Sequence, residues 1–373
     1  MMMSSASTLR SSVPFQTPPI SKPGEQRRPK YLGLQVARLL AAGLVLVTHG
    51  TFYTSERLSR GFYVWRQGAA GVDLFFVLSG FVMVYSSTRL FSDPDGWKVF
   101  AERRIVRIVP IYWIATTIKV AIMVLTAGLV LHSQLSLTRL ICSYFFLPSR
   151  SAEGEITPIL SVGWTLIFEM FFYFLFALAL YLRRNVYYFT GSILAILAVG
   201  SYFRSAQWPA PSFYLQSITL EFFLGMLIAG SCLLGVRLGR RVAILLLFPG
   251  FFFLLYPWPK VHAPQLLLTG VPAACIIWSL ASLEGMFEGT PRWVLYLADA
   301  SYAIYLFHPL VAPFSPLMLA RLHVHMPWLA VTGCVMLGLG AGTLIHRFLE
   351  VPITNYCRDH FRVRGRKVVH QAV

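Results

Sequence analysis

The first apolar stretch of the chain, residues 31–53, reads YLGLQVARLLAAGLVLVTHGTFY. It is long enough to cross a bilayer, since a spanning helix needs about 20 apolar residues. It nevertheless carries two ionisable side chains, Arg38 and His49. Their spacing turns a helix through about three full turns, so both lie on one face, about 16 Å apart along the axis. Arg38 lies about two turns inside the stretch, too deep to be an end residue that snorkels to the surface. This face is therefore predicted to line a polar path, because charge in lipid is expensive.

The composition of the whole chain agrees with a membrane protein. Of its 373 residues, 56% are apolar and 13% are charged, and the mean hydropathy is +0.63. A soluble core of this length cannot bury so much apolar surface, and the composition excludes disordered, collagen-like, coiled-coil and disulfide-scaffold proteins. The five scattered cysteines include no CxxC pair and indicate no disulfide framework. The sequence therefore predicts an all-α, polytopic bundle of membrane helices.

About ten apolar stretches are candidate spans, and the basic residues orient them. With the N-terminus inside, the inner segments hold most of the 32 Lys and Arg residues, so both termini are expected in the cytoplasm. This positive-inside bias explains the net charge of +17. No basic stripe with interleaved aromatics, zinc spacing or helix-turn-helix pattern indicates nucleic acid. The candidate spans are 31–52, 67–88, 108–131, 160–182, 186–203, 212–234, 242–257, 264–283, 294–319 and 328–349.

The domain boundaries follow from the same apolar pattern. Residues 1–30 are basic and rich in Ser and Pro without an apolar stretch, which predicts a disordered cytoplasmic tail rather than a signal peptide. Residues 31–355 form the predicted transmembrane domain, and 356–373 a basic cytoplasmic tail. Residues 139–148 are apolar over only half a span and predict an interfacial or re-entrant element.

Two carboxylic acids lie among apolar neighbours in the candidate spans. Asp73 lies in GVDLFFVLSGF, where the glycines permit close helix contact and Ser79 is available to hydrogen-bond across it. Glu169 lies in WTLIFEMFFY. Each acid needs a cation or donors from another helix, and Arg38 or His49 is the expected partner. The alternatives are an Asp that caps a helix start and a protonated structural Glu.

Basic residues mark two further stretches. Arg103, Arg104 and Arg107 lie in ERRIVRIVPIYW, where they indicate either a positive-inside anchor or a phosphate site, and charge alone favours the anchor. His308 precedes Pro309 inside a span and is by default a core histidine. The sequence has no nucleophile elbow, Walker loop, HExxH motif or dinucleotide fingerprint, and no metal is expected.

Five of these patterns occur together in the order of a known family. They are Arg38-x10-His49, GVDLFFVLSGF, RRIVRIVPIYW, VGWTLIFEMFFY, and SYAIYLFHPLV followed by FLEVP. The chain therefore resembles the membrane-bound acyltransferase-3 family over about 31–355, and within it the bacterial enzymes that acetylate exopolysaccharide. Each pattern alone is weak, whereas the five together are a specific signal.

The resemblance implies a multi-pass O-acetyltransferase of the bacterial inner membrane. The implied donor is cytoplasmic acetyl-CoA, and the implied acceptor is a sugar hydroxyl of an exopolysaccharide or another cell-envelope glycan. Arg38 and His49 become the leading functional residues, and Arg103 and Arg107 become candidates for the CoA end. The expected partners are the lipid bilayer, acyl-CoA and the glycan, with no nucleic acid.

The chemistry of acyl transfer assigns roles to these residues. A sugar hydroxyl that attacks a thioester must lose its proton, and a neutral imidazole suits that step. His49 is the expected general base, oriented by Asp73 or Glu169, while Arg38 stabilises charge or positions the donor. A covalent acetyl-His49 and a succinyl or longer donor stay open, as does a transporter without acyl chemistry. The expected substrate contacts are Trp164, His308 and Ser79.

Overall fold

The protein is helical in every segment that the computed structural model describes. Those segments are 31–125, 136–151, 154–205, 207–258 and 265–360. Within them, strand-like pairing is limited to one isolated bridge between Arg150 and Ile156. The α-helices of these segments are α1 (Leu32–Arg57), α2 (Gly71–Ser87), α3 (Gly96–Leu125), α4 (Leu137–Tyr144), α5 (Trp164–Tyr181), α6 (Val186–Gly200), α7 (Thr219–Leu233), α8 (Arg240–Leu255), α9 (Val271–Ser282), α10 (Arg292–Asp299), α11 (Ser301–Val311), α12 (Phe314–Arg321), α13 (Pro327–Ile345) and α14 (Val351–His360).

Many of these helices match the length and apolar character of membrane spans. In the described part of the chain, seven helical stretches are long and apolar enough to cross a bilayer, and Thr219–Leu233 and Leu266–Ser282 are shorter apolar helices. The prediction of an all-α, polytopic membrane protein is therefore confirmed. The seven stretches are Leu32–Arg57, Arg66–Leu90, Gly96–Leu125, Ser161–Tyr181, Val186–Phe203, Ser301–Arg321 and Pro327–His360.

Two predicted spans differ from the observed helices. Helix α3 begins at Gly96 instead of near residue 108, because its arginine-rich first turns are good helix formers with no breaker among them. The predicted span 294–319 is instead three short helices, α10, α11 and α12. Pro313 explains the break between α11 and α12, since proline lacks the N–H that a continuous helix needs, whereas the break between α10 and α11 at Ala300 has no proline.

Other predicted boundaries either lie outside the described residues or differ from the ends of the observed helices. The predicted tail 1–30 and residues 361–373 lie outside the described residues. Helix α14 continues past the predicted domain end at residue 355. The apolar half-span 139–148 overlaps α4, a helix of 8 residues.

Close backbone contact holds α2 against its neighbours. A Cβ atom added to Gly71 would clash with the carbonyl oxygen of Ala41 in α1, and one added to Gly80 would clash with that of Phe222 in α7. Only glycine permits such an approach. The expected close helix contact along GVDLFFVLSGF is therefore present, and it fixes the rotation of α2 about its axis.

Helix α1 lies against α2, α10, α11 and α13, and its start is capped from far along the chain. The Glu284 carboxylate accepts hydrogen bonds from the backbone N–H groups of Leu32 and Gly33, the second at 3.1 Å. The first N–H groups of a helix have no acceptor of their own, and a carboxylate there also complements the helix dipole. This cap fixes the end of the helix that carries Arg38 and His49.

Candidate active site

Arg38 and His49 lie in two different cavities along α1. Arg38 lines a cavity that we call the arginine chamber, because Arg104 and Arg107 of α3 also line it. His49 lines a second cavity, the histidine cavity, of about 710 Å³. The predicted polar path along α1 is therefore present as two compartments rather than one.

The arginine chamber has more basic than acidic side chains. Arg38, Arg104 and Arg107 line it together with a single carboxylate, Glu169 of α5. Among the described residues, no carboxylate oxygen lies within 4.0 Å of these three guanidinium groups. Partly buried cations without ion-pair partners are costly, so this chamber is suited to an anionic or strongly polar ligand.

Glu169 is held by hydroxyl groups. The Ser79 hydroxyl of α2 donates to Glu169 Oε1 at 3.1 Å, and the Tyr173 hydroxyl donates to the same oxygen. The expected hydrogen bond of Ser79 across a helix contact is present. Among the described residues, no hydrogen bond joins Glu169 to His49. The donors to the Glu169 carboxylate are instead the Ser79 and Tyr173 hydroxyls.

The structure places a different pair of the three α3 arginines in the chamber from the pair that the sequence suggested for the CoA end. Arg104 is 5% exposed, donates from Nη2 to Ser86 Oγ at 2.9 Å, and places its guanidinium 5.7 Å from the centre of the Tyr173 ring. Arg103 is only partly buried and does not line the chamber, whereas Arg107 does. The helical spacing of Arg104, Arg107 and Ile108 was the available signal, because residues three and four apart share a face.

The imidazole of His49 is oriented by its own helix. Its Nδ1 lies 3.0 Å from the carbonyl oxygen of Val45. A carbonyl only accepts, so Nδ1 carries the hydrogen and Nε2 of the neutral ring keeps its lone pair. The expectation that Asp73 or Glu169 orients His49 is corrected here, since the hydrogen bond goes to the backbone.

Asp73 faces away from α1, towards α7 and the π-helical turn Leu266–Gly270. It accepts hydrogen bonds from Thr269 Oγ1 at 2.5 Å and from Gln265 Nε2 at 3.4 Å. The side chain is 4% exposed and lines neither cavity. The close packing of the α2 glycines sets this rotation, and it separates Asp73 from Arg38 and His49.

His308 of α11 lies beside His49. The centres of the two rings are 4.9 Å apart, and His308 is fully buried. Its Nδ1 lies 2.7 Å from the carbonyl oxygen of Tyr305, and its Nε2 has no partner among the described residues. The structure thus brings together two imidazoles that the sequence placed far apart, and His308 contacts His49 without lining either of the two cavities.

Trp164 lines neither of these two cavities. Its ring packs edge-on against Phe76 and Phe168, with ring centres 6.2 and 6.1 Å apart. Within this geometry it contributes to the aromatic core at the start of α5. Its predicted role as a substrate contact stays a prediction.

The histidine cavity also has basic residues that sequence reasoning did not assign to the site. Lys119 of α3, Arg57 of α1 and Arg66 before α2 all line it, with Glu56 as the acidic lining residue. Among the described residues, none of the three lies within 4.0 Å of a carboxylate. Lys119 was the available signal, because a lysine inside a predicted span is expected to have a function.

Tyr305 lies between the two compartments. Its ring lines the arginine chamber, and its centre lies 6.0 Å from the centre of the His308 ring. The hydroxyl is 3.1 Å from the carbonyl oxygen of Val162 and 3.0 Å from Thr165 Oγ1. This hydrogen-bonded tyrosine connects α11 to the start of α5.

The fold and site define an integral membrane protein with two charged compartments along one helix. A family model described as an acyltransferase domain matches residues 31–347, and the chain belongs to the acyltransferase-3 family. It is accordingly an acyltransferase that transfers groups other than aminoacyl groups. The described residues contain no group of three or more His, Cys, Asp or Glu side chains that could hold a metal ion.

Two curated proteins are similar in sequence to this chain. The chain is 37% identical to the "Exopolysaccharide production protein ExoZ" of Rhizobium meliloti (strain 1021) over 278 residues, which cover 69% of this chain and 80% of that protein. It is 27% identical to the "Acyltransferase MdmB" of Streptomyces mycarofaciens over 367 residues, which cover 87% of this chain and 91% of that protein. No solved structure matches the chain.

Proposed function

We propose that this protein transfers an acetyl group from acetyl-CoA to a sugar hydroxyl of an exopolysaccharide or another cell-envelope glycan. The observation that carries the proposal is that α1 presents Arg38 to one cavity and an imidazole with a free Nε2 to the other. The name of the R. meliloti relative supports a glycan acceptor. In this proposal the protein resides in the inner membrane.

The donor binds in and beside the arginine chamber. Guanidinium groups suit phosphate and carbonyl oxygens because their N–H donors form a fixed fork. Arg104 and Arg107 hold the phosphorylated end of CoA, and Arg38 positions a carbonyl of the pantetheine arm, about 16 Å along α1 from His49. The predicted topology supports this arrangement, since the chamber lies at the end of α1 that the positive-inside bias places towards the cytoplasm.

The acceptor hydroxyl enters the histidine cavity and reaches His49. Its oxygen forms a bond to the thioester carbonyl carbon while Nε2 of His49 takes its proton. The carbon–sulfur bond then breaks, and the imidazole returns the proton to the thiolate of CoA. General base catalysis of this kind contributes about 10²- to 10⁴-fold to a rate.

The test is acetyl transfer by the full chain in nanodiscs. The probes are radiolabelled acetyl-CoA and a crude cell-envelope glycan fraction whose existing esters have been removed with dilute alkali. Wild type and His49→Ala are compared, with Arg60→Gln as a matched control, because Arg60 is an exposed residue of the same end that does not line the histidine cavity. Base-labile label is expected in the glycan with wild type and Arg60→Gln only.

Other outcomes redirect the proposal. Near-normal transfer by His49→Ala would contradict the assignment of the base. Label retained on the protein without acceptor would indicate a covalent acetyl-histidine, in which His49 is the nucleophile. Succinyl-CoA and longer acyl-CoA thioesters, run in parallel, decide the acyl group.

A further inference from the structure

The histidine cavity carries more positive charge than its place in the fold explains. Lys119, Arg57 and Arg66 line it, and Glu56 is the acidic lining residue. Arg57 ends α1 and Arg66 precedes α2, at the end of α1 that the predicted topology places outside the cell. The positive-inside bias collects basic residues on the other side of the membrane, so it does not account for this group.

Lys119 is the member of this group that lies within a membrane-spanning helix. Helix α3 continues beyond it to Leu125. A lysine that only snorkels extends its ammonium group towards the lipid headgroups. Lys119 instead lines the cavity, close enough to Arg57 for the two charges to repel each other. Among the described residues, no carboxylate lies within 4.0 Å of either cation, so a bound anion would offset this repulsion.

Helix α1 presents the proposed base and one of these cations in a single row. His49, Tyr53 and Arg57 follow one another at four-residue steps, and all three line the cavity. Arg57 lies about 12 Å along the helix axis from His49. The cavity volume of about 710 Å³ is within the range of ligand pockets, about 300–1,000 Å³. One molecule can therefore reach from the imidazole to the cations.

The phosphates of the donor already have a separate group of cations. The three arginines of the arginine chamber do not line the histidine cavity, and Lys119 and Arg57 do not line the chamber. Arg38 and Arg57 are about 28 Å apart along the axis of α1. Two groups of cations at this separation indicate two anionic ligands.

We propose that the acceptor is an anionic glycan, and that Lys119 and Arg57 bind its negative group while one of its hydroxyls lies at His49. This inference rests on the proposed glycan acceptor and specifies its charge. The negative group is a carboxylate of an acidic sugar or a phosphate on the same molecule, since both suit Lys and Arg. It lies about two helical turns from the reacting hydroxyl, so the cations select and position the acceptor and take no part in the chemical step.

The test changes the charge on the protein and the charge on the acceptor independently. The variant Arg57→Gln/Lys119→Gln removes both cations, and Arg57→Lys/Lys119→Arg keeps both charges. Arg60→Gln is the matched control, because Arg60 is exposed near the same end of α1 and does not line the cavity.

The probe is the de-esterified glycan fraction, radiolabelled through growth of the cells on labelled glucose. One portion stays untreated, and in a second the carboxylates are reduced to alcohols. In a third, mild acid cleaves glycosyl phosphates. A fourth portion receives both treatments and serves as the neutral glycan.

The first measurement is equilibrium binding of this probe to the full chain in nanodiscs of zwitterionic lipid, which requires no acetyl transfer. We expect the double glutamine variant to bind untreated glycan about tenfold more weakly than wild type, the combined effect of two partly exposed charges. Arg60→Gln and the charge-preserving variant should bind within about threefold of wild type. All four proteins should bind the neutral glycan equally. Whichever single treatment abolishes the difference identifies the negative group as carboxylate or phosphate.

The second measurement is acetyl transfer from radiolabelled acetyl-CoA, and it separates this inference from the proposed function. The KM for untreated glycan should rise about tenfold in the double glutamine variant, while kcat and the KM for acetyl-CoA stay unchanged. If wild type transfers no acetyl group but the binding pattern is as expected, the proposed function fails and the anionic glycan site stands.

Three results would overturn the inference. The first is wild-type binding of untreated glycan by the double glutamine variant. The second is an equal loss in that variant and in Arg60→Gln, which would show that positive charge anywhere on this surface has the same effect. The third is a loss for neutral glycan as large as that for untreated glycan, which would show that the two side chains do not recognise charge on the acceptor.

Discussion

The arginine chamber and the histidine cavity differ in which polar atoms are satisfied. In the chamber, Glu169 accepts from two hydroxyl groups and Arg104 donates to Ser86, while the three guanidinium groups lack a carboxylate partner. At the histidine cavity, His49 and the buried His308 beside it are each fixed through Nδ1, and among the described residues no hydrogen bond reaches either Nε2. The first arrangement is suited to hold negative charge, and the second to receive a proton.

Helix α1 carries both Arg38 and His49, and its periodicity alone sets their relative position. Arg38 and His49 lie on one face about 16 Å apart, so one rigid helix sets the separation between the proposed donor site and the proposed base. The following variants test whether the two compartments have separate roles.

The largest effect is expected for Arg38→Gln. The variant removes a charged hydrogen-bond donor from the chamber and should lower kcat/KM for acetyl-CoA about 10- to 100-fold, the effect of losing a hydrogen bond from a charged group to the bound donor. Arg103→Gln is the matched control, since Arg103 lies outside the chamber and should keep near wild-type kinetics. Equal losses in the two variants would show that general positive charge matters and the chamber does not.

Glu169→Ala tests the framework of the chamber. It leaves the hydroxyls of Ser79 and Tyr173 without their acceptor, and a buried unsatisfied donor costs about 1–3 kcal/mol of folding free energy. Thermal unfolding in detergent should therefore occur at lower temperature, whereas Glu169→Gln, which keeps one acceptor oxygen, should lose less. If the alanine variant were as stable as wild type, the hydrogen bonds from the two hydroxyls to Glu169 would make no contribution to the free energy of folding.

Lys119→Gln should affect the acceptor alone. Lys119 lines the histidine cavity and not the chamber, so the KM for the glycan should rise about threefold while the KM for acetyl-CoA stays constant. Steady-state kinetics at two salt concentrations check this, since the effect of a partly exposed charge weakens with salt. A change in the KM for acetyl-CoA instead would show that the donor contacts the histidine cavity, which would contradict its assignment to the arginine chamber.

The smallest effect is expected at the start of α1. Glu284→Ala removes the carboxylate that caps Leu32 and Gly33, and losing a helix cap costs about 1 kcal/mol. The thermal midpoint should fall by about 2 °C. The KM for acetyl-CoA and the KM for the glycan should keep their wild-type ratio. A selective loss of acetyl-CoA binding would show that the cap positions Arg38 directly.

Much of the architecture could be predicted from the sequence, because length and hydropathy identify an apolar stretch as a candidate membrane helix. The spacing of Arg38 and His49, the close contact at Gly80 and the Ser79 hydrogen bond follow from local pattern. The break of the predicted span 294–319 between α11 and α12 is also signalled by Pro313, whereas the break at Ala300 has no such signal.

The remaining differences between sequence and structure concern helix rotation. Whether Arg103 or Arg104 faces the chamber depends on how α3 is turned against α5, and Asp73 points away from α1 because glycine contacts with α7 turn α2. Such rotations are set by packing between helices distant in sequence. The contact between His49 and His308 arises in the same way and has no local signature.

The most direct test of the account is equilibrium binding of radiolabelled acetyl-CoA to wild type, His49→Ala and Arg38→Gln in nanodiscs without acceptor. The account predicts that His49→Ala binds acetyl-CoA with the wild-type Kd although it transfers nothing, and that Arg38→Gln binds at least about tenfold more weakly. Weaker binding by His49→Ala, with wild-type binding by Arg38→Gln, would contradict the separation of donor site and base.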